Sequence, residues 1–470
     1  MPLVGDIGKA SPNPELKLRD FGDTHALRDD ILEGVHNEFA SRFPIENDKV
    51  KIDLEDIGYD QKKRNYGISD AKNAILNGGR LAVPLNATVK LTDKTTGTVL
   101  DKQKVLLANV PYLTNRGTFI IGGNEITSVN QARLRSGIYA RRKENGELES
   151  HINAKPGTGP SMRIYMEPDT GVYRAGLGQA TIKLYPVLNA LGVKDDELSK
   201  LWGPDILKAN QLAFDKQAVP KFYSKFMGNY ANNDLPNDEK LKQLSDKVNG
   251  VQLDPEVTGR TIGEPHSNLS PSLIAKASAK LLKISRGEAE SDDRDSLANK
   301  YFMSVDDFLK ERVRRDNGRM GRALLWKVTR ERNLSPFKPG YFTPQLEGLL
   351  VSNSISSPIA GINPIEIRDQ HFRVVQTGEG GVSSQESIPV SARNVHPSQA
   401  FFIDPIRSSE STAIGTDQRF AHGVKKGNDG FIYAPFKNRK TGQIEYLNPA
   451  QASQKNIVFP ESKSLSLFAH

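Results

Sequence analysis

The sequence contains no cysteine and no long apolar segment. Without cysteine, the 470-residue chain has no disulfide, no thiolate zinc site and no cysteine nucleophile. No run approaches the roughly 20 apolar residues that cross a membrane. Residues 1–6 show neither the basic nor the apolar part of a secretion signal. The sequence therefore predicts a cytoplasmic protein that has no membrane contact.

Familiar catalytic motifs are also missing. The sequence has no Gly-x-x-x-x-Gly-Lys-Ser/Thr loop, and Gly176-Leu177-Gly178 lacks the third glycine of a dinucleotide site. The eight histidines are dispersed, and no Asp-x-Asp-x-Asp run offers ligands for paired Mg²⁺. We interpret the acidic groups at 195–197 and 292–295 as solvated surface. The residues alone thus indicate a basic, mixed α+β protein without a self-contained active site.

Net charge and apolar content limit the possible architecture and partners of the chain. Hydrophobic residues make up 37% of the chain, and 64 Lys+Arg face 56 Asp+Glu, a formal net charge of +8. The length predicts roughly two to four domains. The lean apolar share suits a multi-domain or elongated body, or a subunit that shares surface with partners. The mild positive excess permits nucleic acid as a partner but does not identify one by itself.

The first 150 residues predict one helix followed by a β meander. Apolar residues at helical spacing mark a helix over residues 27–39, which Phe43-Pro44 ends. Alternating residues and turn signals predict successive strands across residues 80–142. Asn145-Gly146 is the strongest hairpin signal in the chain.

The middle of the chain predicts mixed structure. A strand pair is joined at residues 168–171. Helical patterns follow at about 180–191, 195–202, 205–215 and 271–285. Ser304 predicts the N-cap of a further helix, and Asn317-Gly318 divides the next apolar stripe into a helical hairpin. This hairpin is rich in arginine, so its polar face is either solvated or binds a nucleic-acid backbone.

Regular patterns fade after residue 335, where Gly, Pro and Ser increase. Only residues 388–392 and 430–434 are typical of short strands. A long irregular region of this kind is usually functional, disordered or supported by another chain.

Residues 105–138 resemble a known family. An apolar strand leads through Pro111-Tyr112-Leu113-Thr114 and a glycine turn to Thr118-Phe119-Ile120-Ile121-Gly122-Gly123-Asn124-Glu125, and then to Val129-Asn130-Gln131, Arg135 and Gly137-Ile138. This order resembles the β subunit of bacterial-type multisubunit RNA polymerase. There, Pro-Leu-Met-Thr precedes Thr-Phe-(Ile/Val)-Ile-Asn-Gly, Glu-Arg-Val and Val-Ser-Gln.

A second match lies between residues 363 and 415. Four motifs of this chain resemble four of the family's in the same order. Asn363-Pro364-Ile365 resembles Asn-Pro-Leu, and Arg373-Val374-Val375 resembles Arg-Arg-Ile-Ser. Gly378-Glu379-Gly380-Gly381-Val382 resembles Gly-Pro-Gly-Gly-Leu, and Ala392-Arg393-Asn394-Val395-His396-Pro397 resembles Val-Arg-Asp-Val-His-Pro. Residues 298–332 resemble the family's Gly-Asn-Arg-Arg helix pair. The resemblance is collinear over most of the chain.

The resemblance implies a multi-domain α+β fold, with a β-subunit-like protrusion and lobe before an irregular fork and hybrid-facing region. Residues 1–150 would form an N-terminal arm and the first part of the protrusion. Residues 151–315 would form the lobe, 316–360 the return of the protrusion, and 361–470 the fork and the start of the hybrid-binding region. The family's second half is not in this sequence, which implies a split β like those of some large bacteriophages.

The implied function is that of a DNA-dependent RNA polymerase subunit, part of a nucleotidyltransferase but not catalytic alone. Expected partners are a C-terminal β-like chain, β′-like chains that carry Mg²⁺, the DNA template and the RNA–DNA hybrid. No cofactor is expected on this chain itself. A phage-encoded subunit would act in the host cytoplasm or be packaged in the virion. The alternative is a non-catalytic nucleic-acid-binding or virion structural protein with a β-like scaffold.

The family positions also imply nucleic-acid contacts, with no catalytic or metal-binding residue. Near the hybrid and the RNA end the resemblance places Arg373, Arg393, Glu410 and the fork glycines Gly378, Gly380 and Gly381. The basic residues expected to face duplex DNA are Arg133, Arg135, Arg141, Arg142 and Lys143. Alternatives are a plain turn for the glycines, a structural salt bridge for Arg393 and a buried strut for Glu410.

The sequence departs from the family at two groups of positions. Arg407 and Ala413 replace a Glu and an Asn, and Asp404 replaces a Cys, where the family lies near nascent RNA. In the rifamycin pocket an Asp, a His and a Ser are replaced by Ala360, Gln370 and Val375. These replacements predict resistance to rifampicin.

Overall fold

The computed structural model describes residues 16–60, 65–143, 145–228, 231–232, 234–359, 363–382 and 384–458. The chain divides into two compact units: unit 1 is residues 1–133 with 300–470, and unit 2 is residues 134–299. Both units combine helices with largely antiparallel sheets, so the predicted α+β, multi-domain class is confirmed. The unit boundaries follow residues 133 and 299, whereas the predicted domains change after 150, 315 and 360.

The chain begins with the sheet and first helix of unit 1. Its elements are β1 (Leu18–Asp20), α1 (Thr24–Arg42), β2 (Ile45–Glu46), β3 (Val50–Tyr59), α2 (Ile68–Leu76), β4 (Ala82–Asp93), β5 (Val99–Pro111), β6 (Phe119–Ile121), β7 (Asn124–Ser128) and β8 (Asn130–Leu134). The predicted first helix is confirmed as α1, which Asp23 caps by accepting from the Ala26 backbone N–H. Strands are present across residues 80–142 as predicted, but they do not form one meander. β2-β3-β4-β5 form one antiparallel sheet, β6 and β7 pair in a second, β8 lies in a third, and the strand at residues 137–142 belongs to unit 2.

Unit 2 packs seven helices, counted over its described residues, with one five-stranded sheet. Its elements are β9 (Gly137–Arg142), β10 (Leu148–Asn153), β11 (Met162–Met166), β12 (Tyr173–Leu177), β13 (Ala180–Lys183), α3 (Leu184–Ala190), α4 (Asp195–Trp202), α5 (Pro204–Leu212), α6 (Ala218–Met227), α7 (Asn237–Asn249), α8 (Pro255–Ile262) and α9 (Pro271–Ser285). The sheet order is β13-β12-β11-β10-β9. The Asn145-Gly146 hairpin and the β11–β12 pair are confirmed.

Two interpretations in unit 2 need correction. Residues 180–183 form strand β13 rather than the start of a helix, because they pair with β12. Asp292 is not solvated surface: its carboxylate accepts from Lys280 Nζ at 2.5 Å and from the Ala140 backbone N–H at 2.7 Å. Tertiary pairing overrides the local pattern at both places.

The chain then returns to unit 1. The remaining elements are β14 (Lys300–Met303), α10 (Val305–Glu331), α11 (Thr343–Val351), β15 (Ser356–Pro358), α12 (Pro364–Gln370), β16 (Arg373–Val375), β17 (Asp417–Arg419), β18 (Lys425–Gly427), β19 (Ile432–Lys437), β20 (Ile444–Leu447) and α13 (Pro449–Ala452). They extend unit 1 with the sheets β14-β8-β16-β17, β15-β7-β6 and β1-β18-β19-β20. Strand β16 pairs in parallel with β8, which brings the segment after residue 363 onto the N-terminal part of unit 1.

Helix α10 differs from its prediction. Ser304 is the N-cap, with a capping box to Asp307, as the sequence predicts. The helix runs unbroken for 27 residues, however, so the hairpin at Asn317-Gly318 is wrong. A helical glycine costs only about 1 kcal/mol relative to alanine. Burial of Leu309 and Leu324, on either side of this point, outweighs that cost.

The core of unit 1 lies between the β2–β5 sheet and helices α1, α10 and α11, where Phe39 packs on Phe342 at a ring distance of 5.1 Å. The core of unit 2 lies on one face of its sheet, where Tyr173 contacts Trp202. Residues 388–392 form no strand, because Val390–Arg393 is a 3₁₀ turn, whereas the strand predicted at 430–434 is present as β19. Across the described helices, none is long and apolar enough to span a membrane.

Candidate nucleic-acid interface

The fork glycines form a tight loop directly after strand β16. Gly378 donates to Val382 O and Gly381 donates to Gly378 O, both at 3.0 Å. Gly378 and Gly380 have φ of +115° and +79°, which favour glycine. A Cβ on Gly380 would lie 2.5 Å from the guanidinium carbon of Arg133, and one on Gly381 2.5 Å from Gln131 Nε2. Close packing inside unit 1 therefore already accounts for these glycines.

Glu379, between these glycines, fastens the loop to helix α10. Its carboxylate accepts from Arg312 at 3.3 Å, from Arg315 and from Asn353 Nδ2 at 3.0 Å. Its backbone carbonyl accepts from Arg133 at 2.7 Å. Two arginines of α10 thus hold the Glu379 side chain, while Arg133 holds its backbone.

Arg133 is a buried cross-link rather than an exposed cation. Its guanidinium donates to Glu311 and Gln131, each at 2.6 Å, and to the Glu379 carbonyl, and it lies over the Phe308 ring. Its side chain is 9% exposed. Its described contacts position the fork loop, and the duplex-DNA contact of Arg133 stays a prediction.

Arg373 is part of a chain of alternating charges. It binds Asp417 through two parallel hydrogen bonds, from Nε at 2.9 Å and from Nη2 at 2.7 Å. Asp417 also accepts from Arg419, which donates to Asp369, and Asp369 pairs with Arg407 at 2.8 Å. Paired guanidinium and carboxylate planes of this kind hold their geometry well. The chain joins α12, β16, β17 and the loop before β17.

A cavity of about 350 Å³ lies beside this charge chain. Its lining residues are Val129, Ser354, Ile355, Ser357, Arg373, Val375, Thr377, Ser384 and Gln385. Arg373 is the cation among them, and its side chain is 28% exposed. The cavity thus presents hydroxyl and amide groups beside a positioned guanidinium.

Arg393 ties irregular backbone together. It donates to the carbonyls of Ile388 at 3.1 Å, Thr412 at 3.0 Å and Gln385 at 2.6 Å. Within the part of the chain that the structure describes, Arg393 has carbonyl acceptors and no carboxylate partner, so the alternative of a salt bridge is wrong there. Its role in nucleic-acid binding stays a prediction.

Glu410 is exposed at the start of a 3₁₀ turn. Within the described residues its carboxylate has no hydrogen-bond or ion-pair partner, so the alternative of a buried strut is wrong. Of the predicted fork residues with charged side chains, Glu410 is the one that is open to solvent.

The predicted duplex-facing residues of unit 2 are engaged with their own unit. Arg135 is buried and binds Asp254 at 2.7 Å and Glu256 at 2.8 Å. Arg142 donates to the carbonyls of Ile284 and Ser285 at the end of α9, each at 3.3 Å. Arg141 lies 3.4 Å from the buried Glu149. Their DNA contacts stay predictions.

The arginine-rich face of α10 is partly satisfied within unit 1. Arg314 pairs with Glu38 at 2.9 Å, and Arg332 pairs with Asp93. In contrast, the cations that are exposed without a described ion pair are Arg319, Arg322 and Lys327. Part of this face is thus paired within unit 1 and part is solvated, and its binding to a nucleic-acid backbone stays a prediction.

Comparison with known proteins supports the sequence resemblance. Residues 362–424 match the model for RNA polymerase Rpb2, domain 3. The chain is 25% identical to the DNA-directed RNA polymerase subunit β of Synechococcus elongatus, over 88% of this chain and 39% of that protein. It is also 25% identical to that of Gloeobacter violaceus, over 91% of this chain and 40% of that protein. The resemblance to the RNA polymerase β subunit is confirmed.

The chain spans about two-fifths of the length of these β subunits. Residues 362–424, which match the domain model, contain α12, the fork loop, Arg393 and the whole charge chain. The part of this β-like chain with least regular structure is thus also the part that a family model recognises.

The departures from the β-subunit pattern have structural correlates. Arg407, which stands at a family Glu, binds Asp369, and Asp404 accepts from the Ile406 backbone N–H at 2.9 Å. In the rifamycin positions, Gln370 accepts from Arg373 at 3.3 Å and Val375 is buried in β16. Ala360 lies outside the described residues.

Sequence reasoning missed the partners that hold the predicted β-subunit residues. Asp369, Asp417 and Arg419 were not singled out, nor was Glu379 as the anchor of the loop. The one available signal was the alternation Asp417-Gln418-Arg419, which places both charged side chains on the same side of a strand.

Proposed function

We propose that this chain is the N-terminal β-like subunit of a multisubunit DNA-dependent RNA polymerase. In this role it clamps DNA and forms the fork near the active centre, and it is not catalytic alone. The collinear match over 88% of the chain to β subunits carries the proposal. The attachment of the fork loop to α10 through Glu379 also supports the proposal, because an element that separates DNA strands needs a rigid support.

The proposal assigns the remaining β-like sequence to a separate C-terminal chain. Support comes from large apolar side chains of the fork segment that are exposed: Ile365, Val390, Val395, Ile406 and Ile414. Exposed apolar side chains mark a protein–protein contact surface where they form one contiguous patch. Such a split form resembles the polymerases of some large bacteriophages, and we propose that origin for this chain.

Mg²⁺ and its ligands would lie on a β′-like partner. No group of three or more metal-ligating His, Asp or Glu side chains occurs among the described residues. The contribution of this chain would be to position nucleic acid, with phosphate contacts from Arg319, Arg322 and Lys327 on α10. Glu410 would face the growing RNA, which repels its carboxylate unless a partner residue or a metal ion intervenes.

Co-expression tests the proposal. The full chain is produced with candidate C-terminal β-like and β′-like chains, and the purified complex is supplied with a primed template, nucleotides and Mg²⁺. A stoichiometric complex that extends RNA supports a polymerase subunit. A variant in which Arg315→Gln loosens the fork loop should elongate more slowly, whereas Lys102→Gln on strand β5 should elongate normally.

The competing function is a non-catalytic nucleic-acid-binding or virion structural protein on a β-like scaffold. The same experiment separates the two, because such a protein would purify without the polymerase-like chains. A folded, monomeric chain that binds none of the candidate partners would refute the polymerase assignment.

A further inference from the structure

The outer face of the unit 2 sheet carries an unusual group of charges. Side chains alternate along β9–β11, so Ala140, Ile152 and Ile164 enter the core. The residues between them point to the other face. We call its ionisable members the arginine cluster: Arg141 on β9 and Lys143 just after it, Glu149 and His151 on β10, and Arg163 on β11. Arg294 lies beside them, because Asp292 hydrogen-bonds with the backbone of Ala140 on β9.

Glu149 is the centre of the cluster. It is fully buried, yet Lys143 Nζ lies 3.0 Å, Arg141 Nη2 3.4 Å and Arg163 Nη1 3.6 Å from its carboxylate. Burial opposes ionisation, but the hydrogen bond from Lys143 and the neighbouring cations outweigh it and hold the pKa of Glu149 below its usual range. One carboxylate thus serves three cations.

The cations outnumber their acceptors. Lys143 has a second partner in Glu147 at 3.1 Å, but the guanidinium of Arg294 has no hydrogen bond or ion pair among the described residues. Among the described residues, three buried polar atoms of the cluster have no hydrogen bond of good geometry: Arg141 Nε, Glu149 Oε2 and His151 Nδ1. Of these, the Arg141 Nε–H is a donor without an acceptor, and such a buried donor normally indicates a group that completes the site.

The neighbouring charges act on one another in a way that agrees with this shortage. Burial and the charge of Arg141 lower the pKa of Arg294, with Asp295 and Glu149 opposing. Burial, together with Arg294 and Arg163, lowers the pKa of His151 to about 4, so the imidazole is neutral at neutral pH. An added anion would relieve the repulsion among the arginines.

The geometry selects the kind of anion. Guanidinium groups present planar forks of donors that match the oxygens of a phosphate. Access is open at Arg163, whose side chain is 50% exposed, and partly open at Arg141. Tyr165, next to Arg163 on the same strand face, lies under Lys143 at 5.4 Å and limits the site on one side. The opening is thus polar, cationic and bounded.

We propose that the arginine cluster is a binding site for a phosphate group, held by Arg141, Arg163 and Arg294. The phosphate belongs either to a nucleic-acid backbone or to a free phosphate ion, and both share this chemistry. The proposal does not depend on the polymerase assignment, because it rests on contacts within unit 2 alone.

Arg174 provides a matched control. Arg174 lies on β12, on the same face of the same sheet, opposite Tyr165 of β11. Its charge is compensated by Glu167, whose carboxylate accepts from Arg174 Nε at 2.5 Å. Arg174→Gln therefore removes the same charge from the same surface without removing a donor from the arginine cluster.

The test uses the full chain. Calorimetric titration with inorganic phosphate at constant ionic strength gives the affinity, and thermal unfolding in the same buffers gives the protection. We expect Arg163→Gln and Arg294→Gln each to weaken phosphate binding about tenfold, the loss of one charge-assisted hydrogen bond. Arg174→Gln should bind as the wild type does. Arg163 is half exposed, so its variant should keep the fold even if that of Arg294 does not.

Two further arms identify the source of the phosphate and the limits of the proposal. A labelled single-stranded or duplex oligonucleotide that inorganic phosphate displaces, and that Arg163→Gln binds more weakly, identifies a nucleic-acid backbone. Phosphate binding without competition by either oligonucleotide identifies a free ion. Equal binding by the wild type and Arg163→Gln, or an equal loss in Arg174→Gln, would overturn the site. So would protection by an oligo-glutamate peptide but not by phosphate.

Discussion

Asp306, in the first turn of α10, contacts cationic side chains from three parts of unit 1. Its carboxylate lies 3.1 Å from Arg19 Nη2 on β1, 3.5 Å from Lys426 Nζ on β18 and 3.2 Å from Lys310 Nζ on α10. Arg19 and Lys426 face each other across the β1–β18 pair. The side chain of Asp306 is 4% exposed and that of Lys426 5%. Strand, helix and hairpin therefore meet at one buried carboxylate.

Asp306→Asn should destabilise unit 1 strongly. The substitution keeps the shape of the side chain but removes one of two counter-charges, because Arg19 also pairs with Asp30, and Lys426 and Lys310 also pair with Asp307. Breaking a fully buried ion pair costs about 3–5 kcal/mol, and the remaining carboxylates should keep the loss near the lower end of that range. Asp53→Asn is the matched control, because Asp53 and Lys51 form an exposed pair on β3. That control should cost at most about 1 kcal/mol.

The deficit of Asp306→Asn should shrink in acid. Burial opposes ionisation of Asp306, but the charges of Lys426, Arg19 and Lys310 outweigh it and lower its pKa far below the ordinary range. A lowered pKa in the folded state gives stability that is present above the unfolded-state pKa and is lost as the pH falls below it. Between pH 6 and pH 3 the difference between wild type and variant should fall by about 1 kcal/mol.

Amide hydrogen exchange provides the assay, because it resolves unit 1 from unit 2 in one experiment. Opening free energies are compared for peptides from α10 and β18, with intrinsic exchange rates corrected at each pH. A variant that exchanges as slowly as Asp53→Asn would refute the reasoning. So would a deficit that stays constant or grows toward acidic pH, since the pKa of Asp306 would then not be lowered in the folded protein.

Further predictions concern the fork and the assembled enzyme. Gly380→Ala should destabilise the fork loop by about 2–4 kcal/mol, from its positive φ and a displaced Arg133, whereas Gly58→Ala, with open space at its Cβ, should not; limited proteolysis measures both, and equal cleavage would contradict the packing argument. Arg393→Gln should expose residues 385–412 to protease without unfolding β16, which hydrogen exchange would show; unchanged protection would mean that the three carbonyl bonds are dispensable. Binding of duplex DNA by the assembled complex should fall steeply with salt, as measured by fluorescence anisotropy, and a flat response would contradict phosphate contacts. Rifampicin should leave RNA synthesis by the complex unaffected, and inhibition at the concentrations that stop a sensitive polymerase would refute that prediction.

Local patterns predicted the regular part of the fold well. Alternating apolar residues specify β4, and the Asn145-Gly146 turn sets the register of the β9–β10 hairpin, because both signals act through neighbouring residues. The helical hairpin predicted at Asn317-Gly318 is wrong because contacts outside the local sequence decide the structure there. The contacts that keep α10 continuous come mainly from α1, which is distant in sequence, and also from the following helix α11.

The candidate site was predictable only in part. The resemblance located the fork loop and Arg373, but no pattern within residues 373–382 reveals that Glu379 meets Arg312, some 67 residues away in the chain. Asp369 and Asp417 were hidden similarly, since a charge chain depends on which strands become neighbours. The burial of Arg133 needed the parallel pairing of β8 with β16, which a sequence period cannot show.

The unbroken helix α10 also has a mechanical meaning. Its 27 residues form a rod about 40 Å long. Arg312 and Arg315 hold the fork loop near its middle, and Arg332 at its far end is tied to Asp93 on the edge of the β4–β5 turn. A load on the loop would pass to α10 through the Glu379 ion pairs and to β8 through Arg133. Along α10 it would reach the Arg332–Asp93 pair, so displacement of the loop should couple mechanically to the end of β4.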